Sequence, residues 1–226
     1  APAGVPILLK RGLAATVVFA RWAPPQVSSL STWLLLLWPF AFFLCGAVYS
    51  DATYLLFAVA AFLLLEKDRP FAAGLVGALA AGTRPIAPAI VIGLLVRQLE
   101  RARKEGRPFT ARDFIPAISA RGPLCFMAFR WAKVGAPFAF MTTQAGWGQL
   151  GGAGSWLKYE ALSTYKPIDL FMPFFHLALA LGVLALAWRM RKTLGWGYAV
   201  YVALAMGIPL LTSRDFIGLG RYAIAA

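Results

Sequence analysis

Long apolar segments with few or no charged residues recur along the chain, and short clusters of basic residues separate them. The clearest covers residues 30–49, and a second, at residues 52–65, follows directly after Ser50 and Asp51. Further apolar segments cover residues 71–82, 86–96, 114–130, 170–188 and 194–211. A bilayer core about 30 Å thick is crossed by about 20 helical residues. The pattern therefore predicts an all-α fold, a polytopic transmembrane helical bundle forming a single transmembrane domain over residues 1–226.

Composition supports this class and excludes an ordinary water-soluble enzyme. Of the 226 residues, 60% are hydrophobic and 14% are charged, whereas soluble domains average about 45–50% apolar and about 25% charged residues. The net charge of +13 would suggest nucleic acid in a soluble chain. Because the basic residues form short clusters between apolar segments, anionic lipid and insertion orientation explain them better. Membrane lipids are expected partners, and nucleic acid is not.

The basic clusters also predict which ends of the segments share a side of the membrane. If the basic loops are cytoplasmic, 12 of the 22 Lys and Arg residues lie on that side and five lie opposite. Arg101 and Arg191 are then cytoplasmic, whereas Asp51, Trp147 and Arg221 lie outside.

This arrangement requires residues 71–96 to enter and leave the membrane on the same side. Its arms, residues 71–84 and 85–96, would be helices about 21 Å and 18 Å long, too short to cross comfortably. We expect a short re-entrant helix hairpin broken at Pro85, whose small residues pack closely against neighbouring helices. Arg84 would lie deep in the protein at the tip, either as a functional group or as a snorkelling or structurally paired side chain.

The longest loop, residues 135–169, is rich in aromatic residues, as is typical of a membrane–water interface. Residues 155–165 predict an interfacial helix, and an aromatic anchor is the simpler alternative. Residues 146–151 (GWGQLG) fit a dinucleotide-binding pattern, but no strand is predicted before them, which disfavours that reading. His176 has no partner at metal-ligand spacing and is interpreted as structural, so no metal site is predicted.

The outer side offers few groups for chemistry. Its carboxylates are Asp51, Glu160, Asp169 and Asp215. Asp51 is a candidate base, although Ser50 and Asp51 also suit the cap and first turn of the following helix.

Three cations on or near the outer side are candidates for holding a phosphate: Arg84, Arg214 and Arg221. Arg221 is preferred to Arg214 because Arg214 adjoins Asp215, whereas Arg221 has no acidic residue within four positions. Glycines precede Arg221 and allow close backbone approach, and Tyr222 offers a hydroxyl donor.

Several short motifs, in order, resemble the bacterial relatives of the PIG-V mannosyltransferases within the GT-C superfamily of polytopic glycosyltransferases. They are Pro39-x-x-Phe42-Phe43 leading into Tyr49-Ser50-Asp51, Gly77-Ala78-Leu79-Ala80 leading into Thr83-Arg84-Pro85, Gly135-Ala136-Pro137 with Phe140, Gln144 and Trp147-Gly148, and Leu219-Gly220-Arg221-Tyr222. Two positions depart from the family pattern: Asp51 replaces an expected Glu, and Gln149 replaces an expected Arg.

The resemblance implies transfer of a sugar, expected to be mannose, from a polyprenyl-phosphate donor to a glycan or lipid acceptor on the outer face of a bacterial cytoplasmic membrane. It implies the substrate-binding residues Tyr49, Asp51, Arg84, Gln144, Trp147, Gln149, Arg221 and Tyr222. The superfamily places its catalytic carboxylate in the first outer loop, which residues 1–29 do not resemble. The chain is therefore expected to be a fragment lacking that loop and the C-terminal spans.

Two other functions stay open at this stage. A transporter or lipid flippase would show paired charges at the membrane midplane and an inverted repeat, and the sequence contains no repeat. A non-catalytic membrane scaffold would tolerate changes to all of the outer polar residues.

Overall fold

The computed structural model describes residues 25–45, 50–145, 158–159, 163, 165–224 and 226. Within them every regular element is a helix, as the predicted all-α class requires. The α-helices are α1 (Pro25–Leu36), α2 (Phe42–Cys45), α3 (Asp51–Glu66), α4 (Pro70–Thr83), α5 (Ala87–Lys104), α6 (Arg121–Val134), α7 (Ala139–Ala145), α8 (Phe171–Leu194), α9 (Trp196–Thr212) and α10 (Leu219–Tyr222). Two 3-10 helices, Ala111–Ala120 and Pro167–Leu170, precede α6 and α8.

The core forms where α3, α4, α5 and α9 pack together. Its largest buried side chains are Tyr54, Phe62 and Leu65 of α3, Ile90 and Leu94 of α5, and Tyr201 and Met206 of α9. Helix α4 approaches its neighbours closely because it presents small residues. A Cβ on Gly77 would lie 2.8 Å from Leu94 Cδ1 and 3.0 Å from Ser119 Cβ. The predicted small-residue packing of this helix is confirmed.

The predicted break is present, because α4 and α5 are separate helices, whereas re-entry of this pair into the membrane stays a prediction. Arg84 has an extended backbone (φ −146°, ψ 149°), and Pro85 lies outside both helices. Helix α4 has 14 residues, about 21 Å, as expected. Helix α5 has 18 residues, about 27 Å, because it continues beyond Val96 to Lys104 through residues that were predicted to form a basic loop.

Two predicted apolar segments are not single helices. Within residues 30–45, α1 ends at Leu36, and bends around Pro39 precede the short helix α2. The proline has no N–H to continue the helix, so the predicted continuous segment over residues 30–49 is wrong. Residues 114–130 are divided between the Ala111–Ala120 3-10 helix, which contains Pro116, and α6.

In the described part of the chain, one continuous helical stretch, Pro167–Leu194, is long and apolar enough to cross a membrane. Helices α4 and α9 are shorter apolar helices. Helix α8 continues through Arg191 and Lys192, where a loop was predicted, and ends before Gly195, whose φ of 111° favours glycine. The predicted interfacial helix over residues 155–165 falls largely outside the described residues.

A buried carboxylate fixes the start of the Ala111–Ala120 helix. Asp113 Oδ2 accepts the Thr110 backbone N–H at 2.8 Å, and Arg107 donates Nη1–H to Oδ2 at 2.8 Å and Nη2–H to Oδ1 at 2.7 Å. Gln98 of α5 donates to Oδ1 at 3.0 Å. The Arg107 guanidinium, followed by the Thr110 N–H, holds the pKa of Asp113 well below its usual range. This carboxylate therefore ties α5 to the 3-10 helix that packs on α4.

Candidate functional site

Asp51, the first residue of α3, lies between two arginines that are distant in sequence. Arg84 donates Nη1–H to Asp51 Oδ1. Arg221 donates Nε–H to Asp51 Oδ2 at 2.9 Å and to Oδ1 at 3.2 Å, and its Nη2 lies 2.8 Å from Oδ2. The Asp51 side chain is only 1% exposed. The start of α3, the break between α4 and α5, and the short helix α10 thus meet at one carboxylate.

The expected cap at the start of α3 is not formed as predicted. Ser50 occupies the N-cap position but makes no side-chain hydrogen bond to the helix. Asp51 does lie in the first turn, where a negative charge suits the helix dipole. Its carboxylate oxygens are nevertheless engaged by Arg84 and Arg221, so its main contribution is to hold the two guanidinium groups together.

Aromatic rings flank both guanidinium groups. The Cζ atom of Arg84 lies 4.6 Å from the centroid of the Tyr222 ring and 5.9 Å from that of Tyr54. The Cζ atom of Arg221 lies 5.1 Å from the centroid of the Phe43 ring. Cations over aromatic faces gain about 0.5–2 kcal/mol depending on desolvation. These rings therefore help to orient the two guanidinium groups beside Asp51.

The two arginines differ in access to the surroundings. The side chain of Arg84 is 3% exposed, whereas that of Arg221 is 23% exposed. The charges of Arg84, Arg221 and Asp51 sum to one positive charge, which favours an anion at the accessible side of the cluster. A guanidinium group can bind a phosphate or carboxylate through two parallel hydrogen bonds. Of the two arginines, Arg221 is the more accessible to such an anion.

Asp51 is poorly placed to act as a general base. Both of its carboxylate oxygens accept hydrogen bonds from arginine, and its side chain is almost fully buried. An acceptor hydroxyl could reach it only if those ion pairs opened, and a base must lie within hydrogen-bond reach of the proton that it removes. The geometry instead makes Asp51 a positioning residue for Arg84 and Arg221.

The structure brings together four of the residues that the sequence singled out: Asp51, Arg84, Arg221 and Tyr222. Tyr49, Trp147 and Gln149 lie outside the described residues, and so does the side chain of Gln144, whose backbone belongs to α7.

Sequence reasoning did not single out Tyr54 or Phe43 as site residues. Tyr54 follows Asp51 by three positions in α3, a spacing that places both on one face of a helix and could have identified it. Phe43 belongs to the first motif of the family resemblance. No local signal marks it as the ring beneath Arg221.

Arg221 was preferred to Arg214 because no acidic residue lies near it in the sequence. Arg221 has no acidic neighbour in sequence, but it contacts Asp51 in space, so the premise that it lacks a counter-ion is wrong. The net positive charge of the cluster comes from the second cation, Arg84.

The acidic neighbour of Arg214 has partners of its own. Asp215 accepts the Tyr165 hydroxyl at 2.8 Å and the Ile217 N–H at 2.9 Å. The hydrogen bond to Asp215 raises the pKa of the Tyr165 phenol. Asp215 thus ties the loop before α8 to the turn before α10.

A second polar cluster lies at the opposite end of α3, about 24 Å away by helix length. There Arg97 donates to Glu66 Oε1 at 2.5 Å and Tyr198 donates to the same oxygen at 3.0 Å. Arg101 reaches the Leu65 carbonyl at this end, and Gly195, which follows the last turn of α8, adjoins Arg97.

The two clusters bear on the predicted sidedness. Asp51 and Arg221 lie together at one end of the bundle, and Arg101 and Arg191 lie at the other, as the charge pattern predicts. Trp147 lies outside the described residues. Which end faces the cytoplasm stays a prediction.

Comparisons with protein-family models, with curated proteins and with solved structures find no match to this chain. The cluster around Asp51 and the sequence motifs are therefore the two indications of function.

Proposed function

We propose that this protein is a membrane glycosyltransferase that transfers a sugar from a polyprenyl-phosphate donor to a glycan or lipid acceptor on the outer face of the membrane. The observation that carries the proposal is the Asp51 cluster, in which two arginines share one buried carboxylate and one of them, Arg221, is accessible. Its members belong to three of the motifs that resemble the PIG-V family. That resemblance makes mannose the expected sugar and a bacterial cytoplasmic membrane the expected location.

A multi-pass arrangement is part of this proposal. The candidate span Pro167–Leu194 is accompanied by the apolar helices α4 and α9. Large apolar side chains are exposed on many of the described helices, including Leu124 and Phe129 of α6 and Leu181 and Leu186 of α8. Surfaces of this kind are stable against lipid and unfavourable in water.

The chemistry requires stabilisation of a leaving phosphate. The acceptor hydroxyl oxygen attacks the anomeric carbon, and the bond between that carbon and the donor phosphate oxygen breaks. The phosphate leaves with the bonding electrons, and the hydroxyl proton passes to a base, which the resemblance assigns to an outer loop preceding the matched region. Charge develops on the phosphate, where a fixed guanidinium stabilises the transition state most effectively.

The residues have distinct roles in this scheme. Arg221 binds the donor phosphate, and Arg84 supplies a buried positive charge behind it. Asp51 holds both guanidinium groups in register, and Tyr222 lies against Arg84. Tyr49, Gln144, Trp147 and Gln149 are proposed substrate contacts on the resemblance alone.

The proposal is tested by measuring sugar transfer from a polyprenyl-phosphate donor with the full-length protein. Arg221→Ala should lower turnover at least 100-fold, because it removes the planar donor pair at the developing charge. Arg221→Lys should retain intermediate activity, since lysine keeps the charge without the bidentate geometry. Arg214→Ala is the matched control and should stay close to wild type. Normal turnover of Arg221→Ala together with loss in Arg214→Ala would overturn the assignment.

A transporter is the second candidate, because buried paired charges within a membrane bundle also mark ion and substrate pathways. Formation of a glycosylated product distinguishes the two functions. A transferase forms a glycosylated acceptor in detergent solution, where no second compartment exists. A transporter produces no new covalent bond and shows flux only in sealed proteoliposomes.

A further inference from the structure

The turn that carries Arg221 is held by side chains from two distant parts of the chain. His176 Nδ1, on α8, accepts the Gly220 N–H at 3.2 Å. The Trp38 indole N–H, from the bend after α1, donates to the Gly220 carbonyl oxygen at 3.0 Å. Both backbone polar groups of the residue that precedes Arg221 are therefore bound by side chains rather than by the helix.

Packing against Phe40 also restricts the backbone at Gly220. A Cβ on Gly220 would overlap the ring of Phe40, so only glycine fits at this point. The Phe40 ring also packs against the His176 ring, with centroids 4.6 Å apart. We call His176, Trp38 and Phe40 the Gly220 clamp. It leaves the backbone at Gly220 very little room to shift.

The hydrogen bonds of His176 identify its protonation state. Nδ1 accepts a second backbone N–H, from Gly218, also at 3.2 Å. Because both partners are donors, Nδ1 must carry a lone pair, and the proton of the neutral ring is on Nε2. His176 is 7% exposed, and it is the only histidine in the sequence.

The clamp acts on the position of Arg221. Gly218 is the N-cap residue of α10 and has φ 97°, and its carbonyl oxygen accepts the Arg221 N–H at 3.0 Å. Fixing the N–H groups of Gly218 and Gly220 therefore fixes where the Arg221 side chain leaves the backbone. From there it reaches the carboxylate of Asp51.

We propose that His176 is a positioning residue for the anion site: its unprotonated Nδ1 holds the Gly218–Gly220 turn so that the Arg221 guanidinium meets Asp51 and faces the donor phosphate. This inference rests on the proposed function for its substrate, a lipid-linked phosphate. Its structural content concerns only His176, the turn and Arg221.

Two substitutions separate the hydrogen-bond role from simple packing. In His176→Asn, the amide oxygen is bonded to Cγ, as Nδ1 is, so an acceptor is retained. In His176→Leu, similar apolar bulk is kept and the acceptor is lost. Phe171→Leu, on an exposed part of the same helix, is the control for loss of a ring.

With the polyprenyl-phosphate donor, His176→Leu should raise the KM for the donor about tenfold, as expected when backbone N–H groups lose a buried acceptor. His176→Asn should restore most of the affinity, and Phe171→Leu should leave it unchanged. An asparagine variant as impaired as the leucine variant, or a leucine variant with wild-type KM, would refute the positioning role.

Two measurements do not depend on sugar transfer. In protein labelled with ¹⁵N-histidine, the single His176 should show an unprotonated Nδ1 and a protonated Nε2, and a proton on Nδ1 contradicts the inference. In thermal unfolding, His176→Leu and Arg221→Ala together should lower Tm by less than the sum of their separate effects, because both disrupt one arrangement. Additive effects contradict the inference. If wild type transfers no sugar but both the protonation of His176 and the non-additive fall in Tm are observed, the proposed function is rejected and the positioning role of His176 is retained.

Discussion

The carboxylate of Asp51 should be among the most important single groups for the stability of the bundle. In Asp51→Asn the shape of the side chain is retained and its charge is lost. Arg84, whose side chain is 3% exposed, then has no carboxylate beside it in the cluster. Arg221, which contacts the same carboxylate, becomes a second positive charge facing the first.

The magnitude follows from this geometry. Opposite charges about 4 Å apart attract by about 4 kcal/mol at an effective dielectric constant of about 20. Removing one partner of a buried ion pair is known to cost about 3–5 kcal/mol. We therefore expect Asp51→Asn to lower the free energy of unfolding by about 3–5 kcal/mol, which corresponds to a fall in Tm on the order of 10 °C for a chain of this length.

The chain offers a matched control on its surface. Asp68 pairs with Arg112 at 2.9 Å, but the two side chains are 60% and 57% exposed. Exposed ion pairs contribute about 0–1 kcal/mol, so Asp68→Asn should change stability little. The same substitution is thus made at a buried and at an exposed aspartate.

A double variant tests the cause of the loss. Asp51→Asn combined with Arg84→Met removes the buried positive charge together with its counter-ion, and it should recover at least half of the stability lost in Asp51→Asn. The assay is thermal and denaturant unfolding of the detergent-solubilised protein, followed by circular dichroism. The buried ion pair is not the cause if Asp51→Asn lowers the free energy of unfolding by no more than Asp68→Asn does. It is also not the cause if the double variant loses the sum of the effects of Asp51→Asn and Arg84→Met.

Asp113→Asn should lower the free energy of unfolding by about 1–3 kcal/mol, because it weakens the charge-assisted hydrogen bonds that Arg107, itself 34% exposed, donates to the buried carboxylate. The pKa of Asp113 is lowered in the folded state, so the greater stability of wild type over this variant should be fully present above about pH 5 and should decline as pH falls below about 4. Unfolding measured across this pH range checks the prediction. Gly122→Ala should lower the free energy of unfolding by about 1–3 kcal/mol or more, because a Cβ there would overlap the carbonyl oxygen of Ala78 in α4. The control is Gly182→Ala, which has open space around its Cα and should leave stability unchanged or raise it slightly. Equal melting temperatures for the two alanine variants would contradict the close packing of α4 on α6.

Local patterns in the sequence determined the helical class and several helix boundaries. The apolar run from residue 52 to 65 is the body of α3, and the Thr83-Arg84-Pro85 motif marks the break between α4 and α5. Such features depend on residues within one or two turns of each other, through the missing N–H of proline and the apolar character of consecutive positions. They can therefore be read without knowledge of the fold.

Local sequence patterns do not predict the conformation where contacts between distant elements determine it. The sequence does not show that helix α5 continues through the basic run to Lys104, because that extension is stabilised by contacts of Arg97 and Arg101 with the end of α3. The bend after α1 places Trp38 against Gly220, a contact across 182 positions.

The candidate site shows most clearly which features the local sequence determines and which depend on tertiary packing. Arg84 was identified because a charge within an apolar segment is costly, and Asp51 and Arg221 were identified as charged groups on the predicted outer side. Their mutual pairing was not predicted, since Asp51 is 33 positions from Arg84 and 170 from Arg221. Whether a charged group is compensated depends on distances in space, and only the packing of α3, the α4–α5 break and α10 brings these charges within hydrogen-bond reach.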